Sequence, residues 1–464
     1  MEQVHKTEHV GLARVLGPAH VWALGVGIVL VGEYMGWNFA VGKGGAYAAL
    51  MACWFAGILY TCVAMIDSEV TSTVAAAGGQ YTQAKHIVGP LMAFNVGLYL
   101  VFAYTMLEAA NAITVGFLVD TVAMMSGHHG GIDQRPFIIL AIMFLAWLNY
   151  RGVLATLTFN LVITAIAFSA IIVLFLSTSG ALGTSPLRHA DLMEGAASLP
   201  YGWLGILAAM HFGLWFYLGI EGTTQAAEEV RSPARSLPFG TLAGVMTLAI
   251  AATLTWYVCT GLMPWEYLGQ AGVPLFDAAR LSGSSFLMVF LGIGTLFATL
   301  ASANGCINDA SRAWFAMARD RYLPGWFGAV HPKHRTPYRS IIFLVPIALI
   351  FALGAPIDQV ITFSILSGLL EYTFMPLNII LFRRKWPLDT IKRGYEHPFH
   401  PLPAFALLAL CGTAFFAVFL GYGTQLVAMI AFYIVVSLWF HFWRYRFVDR
   451  GAQFTMPWPK PRGY

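Results

Sequence analysis

The 464-residue chain is 58% hydrophobic and only 10% charged, with 26 lysines and arginines against 22 acids and a formal net charge of +4. Apolar residues recur along its whole length, which excludes a soluble globular protein and leaves a polytopic membrane protein. The small positive excess points to no nucleic-acid partner. Five cysteines scattered through apolar runs, never as a Cys-x-x-Cys pair, predict neither a disulfide framework nor a zinc site.

The start of the chain is polar and leads straight into a full-length span, so no cleavable signal peptide is expected. Apolar runs follow near 18–41, 46–66, 90–119, 136–150, 153–178, 201–224, 238–262, 285–308, 340–354, 358–382, 402–420 and 425–443. Each approaches the ~20 residues a bilayer helix needs, the fourth and ninth being short, and the count is about twelve. With the N-terminus inside, 22 of the 26 basic residues fall on the inner side and only Lys43, Arg135, Arg188 and Arg280 fall outside. The positive-inside rule then predicts a multi-pass protein of the plasma (inner) membrane with both termini cytoplasmic.

Within the first run, Val21 to Asn38 carries Gly25, Gly27, Gly32 and Gly36 and places Glu33 at mid-span. An acid there costs roughly 2.5–3.5 kcal/mol on insertion scales and marks a functional site. Glycines weaken the helix and let a ligand or backbone approach, so a discontinuous helix with a polar site at its break is expected. The sixth run answers it: Gly213, Gly219 and Gly222 surround Glu221. Glycine-interrupted spans five apart are what an inverted five-plus-five repeat predicts, with the substrate at midplane between them.

Several segments, in order, resemble the amino acid–polyamine–organocation transporters. They are Ala23 to Gly27 with Val31-Gly32-Glu33, Gly78-Gly79-Gln80-Tyr81, Asn149 to Val153, and Ala226-Ala227-Glu228-Glu229-Val230-Arg231-Ser232-Pro233. Asp309-Ala310-Ser311-Arg312, Ala316 to Asp320, Leu323-Pro324 and Thr336-Pro337 continue the pattern. Together they cover roughly Gly17 to Leu381. Gly32-Glu33-Tyr34 with Gly36-Trp37-Asn38, and Trp215 to Gly222, look most like the ethanolamine permease branch. An amino-acid carrier needs bare backbone N–H groups at the first break to hold a carboxylate. Ethanolamine has none, and Glu33 would replace an anion site by a cation site.

The resemblance implies an all-α LeuT-type core, with broken helices 1 and 6, in residues 1–382. A loop, two peripheral helices and a short tail make up residues 383–464. It implies alternating access by rocking of helices 1, 2, 6 and 7. Substrate-site candidates are Gly27, Val31, Gly32, Glu33, Glu108, Asn111, Trp215, Gly219 and Glu221. Glu33 has a structural alternative, an acid paired to a neighbouring helix. Glu221 divides among substrate ammonium, proton relay and strut. Glu108 and Asn111 depart from the branch pattern: they either pair with each other or add an acid that would suit a short diamine. Ala75 and Ala77, where the family commonly has proline, are read as neutral. Glu371, beside Tyr372 in the tenth span, is a comparable acid.

Trp215 is a gating aromatic by resemblance, Tyr217 is a coupling or gating candidate whose alternative is helix packing, and Tyr34 belongs to the same group. His211 is read as hydrogen-bonded structure, and His128-His129 lack the spaced ligands of a metal site. No Gly-x-x-x-x-Gly-Lys-Ser/Thr loop is present, no catalytic constellation is legible, and no cofactor is expected. Transport would draw on an ion gradient or exchange. Thr295, Thr299 and Ser302 could line a sodium site with first-break carbonyls, and a proton could ride on Glu33, Glu108 or Glu221. The expectation is a permease for a small organic amine, with ethanolamine first and an amino acid or polyamine second. A membrane amine sensor would need a larger tail than the one after Trp443.

Overall fold

The computed structural model describes residues 14–75, 78–125, 131–181, 183–192 and 199–448. The histidine pair at 128–129, Ala77 and the tail beyond Val448 lie outside those residues. Regular structure among them is helical except for a single bridge between Leu16 and Val230.

Among the described residues, nine helices are long and apolar enough to cross a membrane. The last, Leu402–Phe442, is two spans joined at Tyr422, whose φ of −139° and ψ of 39° are not helical. With the two 17-residue helices Arg135–Arg151 and Tyr338–Gly354 the described spans number twelve, as expected. The others are Pro18–Met35 continuing through Trp37–Gly44 (first), Ala46–Thr73 (second), Pro90–Met125 (third) and Val153–Thr178 (fifth). Leu204–Thr224 is the sixth, Pro233–Leu262 the seventh, Ser285–Arg319 the eighth and Ile357–Lys385 the tenth. Proline opens several of them in the first turn, where its missing N–H would have no helical partner anyway. The eighth span, at 35 residues, would be ~52 Å long and outreaches the hydrocarbon core.

The first span packs on the fifth, seventh and eighth, and the third on the eighth and tenth. Small residues let the eighth span sit among them: Gly294, Ala298, Ala301, Ser302, Gly305 and Ala313 are all buried.

The two expected breaks differ. The sixth span is truly interrupted: it passes from α-helix into short 3₁₀ turns, with Tyr217 at φ −137° and Gly219 at φ +107°. A left-handed residue costs any side chain with a Cβ, so glycine is required there. The first span is tightened instead of unwound. Leu30 and Gly36 interrupt the ladder yet keep right-handed helical dihedrals. Leu30 N–H donates to Val26, Glu33 N–H to Leu30 and Gly36 N–H to Gly32. Keeping these bonds inside the helix satisfies backbone that has no water to turn to.

Candidate functional site

The tightened turn of the first span lies against the break of the sixth. A Cβ on Gly32 would meet the Trp215 carbonyl oxygen at 3.1 Å, so this glycine sets how closely the two backbones approach. Val31 and Gly32 are buried in this seam, and Gly27 faces Thr164 and Asn160 of the fifth span.

Glu33 is fully buried, and neither of its carboxylate oxygens has a hydrogen-bond partner. Its neighbours in sequence are all committed. The Tyr34 hydroxyl donates to the Ala167 carbonyl at 2.6 Å, the Trp37 indole to Thr255 at 2.8 Å and the Asn38 amide to the Ala271 carbonyl at 2.7 Å. These three anchor the first span to the fifth and seventh spans and the loop that follows, which makes Tyr34 a fastener and leaves Glu33 alone with unused binding capacity. Its field reaches Cys53 and Tyr217.

Glu221 is buried too, but partnered. One oxygen accepts from the Tyr104 hydroxyl at 3.3 Å and the other from the Gly219 backbone N–H at 3.2 Å. Four further amides of the break are used internally: Tyr217 and Leu218 donate to Leu214, Ile220 to Tyr217 and Gly222 to Gly219. These amides, with that of Gly219, are offered to the protein and not to an anion.

Glu108 is buried with Oε1 unpartnered. Asn111 is not its partner: it donates to Ser302 at 2.7 Å, and the Ser302 hydroxyl in turn donates to the Ile28 carbonyl. Thr295 and Thr299 return their hydroxyls to Leu291 and Thr295 of their own helix at 2.8 Å. On the other flank of the first span, Asn160 donates to the Ala23 carbonyl at 3.1 Å. Side-chain hydroxyl and amide groups of the eighth and fifth spans thus hold the first-span carbonyls of Ile28 and Ala23.

Trp215 is buried beside Phe39, ring centroids 6.0 Å apart. Tyr217 stacks on Tyr60 at 5.6 Å, and its hydroxyl accepts from the Cys53 thiol at 3.7 Å. That is the packing alternative, and it places Tyr217 against the second span. His211 bonds Thr362 at 3.1 Å, the structural role expected of it.

The family model described as "Amino acid permease" matches residues 19–451. The chain belongs to that family. An uncharacterized transporter of Rhizobium meliloti is 78% identical to this permease over 98% of each chain. A methylthioribose transporter of Bacillus subtilis is 25% identical over 86% of this chain and 87% of its own. A branched-chain amino acid permease of Bacillus subtilis is 23% identical over 86% of this chain and 84% of its own. Neither relative is named for ethanolamine, so the similarity carries the transporter family and not the ethanolamine branch.

Sequence reasoning saw several permease segments only as patterns, and the structure pairs them. Arg312 meets Glu229 in a buried bidentate ion pair at 2.9 to 3.1 Å, and Arg319 meets Glu228 at 3.4 Å. Burial pushes the Glu229 carboxyl up and Arg312 pulls it back. The Glu229 carbonyl also accepts the N–H groups of Val15 and Leu16, tying the exit of the sixth span to the entry of the first. Glu69 at the end of the second span binds Arg383 at 2.6 Å and Arg393 at 3.1 Å. These pairs gather at the end that the charge bias assigns to the cytoplasm. No sequence spacing announces them, because each joins residues more than eighty positions apart.

Proposed function

We propose that this permease moves a small organic amine across the membrane by alternating access, with ethanolamine as the leading solute and Glu33 as the group that receives its ammonium. The supporting observation is the Glu33 carboxylate, buried at the seam of the first and sixth spans with both oxygens unpartnered. Such a charge calls for a cation, and partnerless acids inside a membrane mark substrate or ion sites. Glu221 sustains the same reading from the other side, because its oxygen occupies the Gly219 N–H that a substrate carboxylate would otherwise take. Trp215 flanks the seam and Gly219 shapes it. Uptake is coupled to an ion gradient or to exchange. The first ten helices form the inverted-repeat core, and both termini face the cytoplasm of an inner-membrane carrier.

The second reading is an amino-acid permease, favoured by the family and by the branched-chain amino acid permease among the relatives. It requires the Glu221–Gly219 bond to open and free an amide. Ligand-induced thermal stabilisation of purified protein separates the two. A ligand that binds only the folded state adds RT ln(1 + [L]/Kd), about 2.7 kcal/mol at a hundredfold excess over Kd. Stabilisation by ethanolamine and not by leucine, lysine, putrescine or choline supports the amine reading. Leucine or lysine alone stabilising would replace it.

A further inference from the structure

The cations at the end assigned to the cytoplasm fall into two groups. In the first, carboxylates engage them: Glu229 takes Arg312, Glu228 takes Arg319, Asp320 takes Lys85, and Glu69 takes Arg383 and Arg393. The second group is Arg151, which ends the fourth span, with Lys333, Arg335 and Arg339, which lead into the ninth. These four make no ion pair among the described residues, and Arg151, Lys333 and Arg335 are exposed. Their own segments bring no acid to them, since no Asp or Glu occurs between Asp133 and Asp191 or between Asp320 and Asp358.

Folding gathers these cations at one place. The Thr336 hydroxyl donates to the Tyr150 carbonyl at 3.0 Å, and the Tyr150 ring meets His331 at 5.1 Å, His334 at 5.6 Å and Tyr338 at 6.2 Å. These contacts dock the loop that carries Lys333 and Arg335 onto the end of the fourth span. Arg151 lies over the Trp147 ring at 5.1 Å and Arg339 over Tyr338 at 5.4 Å. A guanidinium stacked on a ring keeps its planar fork of N–H donors, which matches phosphate oxygens.

Between the fourth and ninth spans the same residues head a groove of about 200 Å³. Tyr150 and Trp147 line it at the charged end. Ala146 and Ile341, both buried, line its inner wall, while Met143 and Ile342 are half exposed beside them. An apolar groove on a membrane-facing surface therefore ends in unneutralised cations and in the Tyr and Trp rings that favour the headgroup level.

We propose that this groove is a binding site for an anionic phospholipid, with an acyl chain along Ala146 and Ile341 and the phosphate met by Arg151, Lys333 and Arg335. Basic pockets between spans suit anionic headgroups in this way. A zwitterionic lipid would bring an ammonium to a site with no carboxylate, and a soluble phosphate would leave the apolar groove unfilled. Neither span is among those proposed to rock, so the lipid would hold the stationary part of the carrier in its leaflet. The site depends neither on the solute nor on Glu33.

The test titrates the purified full-length protein in neutral detergent with phosphatidylglycerol or phosphatidylcholine of the same acyl chains. Native mass spectrometry counts bound lipid, and melting is followed in parallel. Phosphatidylglycerol should bind in preference and raise the melting temperature more. Arg151→Gln combined with Lys333→Gln and Arg335→Gln, all at exposed positions, should weaken its binding roughly a hundredfold and leave lipid-free melting unchanged. Ala146→Leu should weaken it with every cation in place, because the added carbons occupy the groove. Arg444→Gln with Arg446→Gln removes two cations elsewhere at the same end and should leave binding intact. Equal binding of the two lipids overturns the site, as does a preference that survives either the triple variant or Ala146→Leu. An equal loss in the Arg444 and Arg446 variant overturns it too, by reducing the preference to general attraction. Glycerol 3-phosphate stabilising as well as the lipid would leave the groove no part and overturns it likewise.

Discussion

Replacing Glu33 by glutamine keeps shape and removes charge. Because neither oxygen of Glu33 is paired within the protein, the substitution breaks no internal bond. It removes a carboxyl group that is costly to bury in its ionised form, so the ligand-free protein should be as stable as wild type or more so. The ligand loses a charge-assisted bond of about 1.5–3 kcal/mol, which weakens binding roughly ten- to hundredfold. At a ligand concentration a hundredfold over the wild-type Kd, a hundredfold loss brings the ratio to about 1 and the stabilisation from about 2.7 to about 0.4 kcal/mol. Thermal unfolding in detergent, followed by tryptophan fluorescence with and without ethanolamine, reads both quantities. The reasoning is refuted if the variant is clearly less stable without ligand, which would make Glu33 a structural partner. It is equally refuted if the ligand shift survives intact.

Removing the guanidinium with Arg312→Ala should cost about 3–5 kcal/mol, because it strands the buried Glu229 carboxylate, and melting should fall accordingly; Glu229→Gln with Arg312→Met should recover much of it. Gly219→Ala forces a Cβ onto a left-handed backbone and against Ile28, and should lower stability by at least about 1 kcal/mol and abolish uptake in whole cells; normal uptake would show the turn to be dispensable. His86, on the helix Gly79–Ile87 between the second and third spans, is lowered from 6.5 to about 3 by burial and by the charge of Lys85. Below pH 6.5 the unfolded chain binds a proton there that the folded one does not, so stability is full above 6.5 and is lost as pH falls toward 3. The loss is about 2 kcal/mol at pH 5, and His86→Gln should flatten the acid limb of the melting profile by that amount.

Hydropathy alone determined a great deal. Twelve spans, their order and the inward bias of positive charge follow from composition along the chain, because a bilayer rewards every apolar run of sufficient length whatever its neighbours. Gly219 announced the sixth break, since a glycine beside an acid in an apolar span has few other uses. Tertiary structure decided what each polar residue does. Glu33 and Glu221 look alike in sequence, yet one is orphaned and the other is bonded to Tyr104 and Gly219. The first span, as rich in glycine as the sixth, keeps right-handed helical dihedrals through its interruptions at Leu30 and Gly36 because its own carbonyls accept the amides around the turn. Asn111 looked like a partner for Glu108 and instead reaches Ser302, 191 residues away. In a medium without water, the meaning of a polar group is set by the partner that folding brings to it, and partners from different spans leave no periodic trace in the sequence.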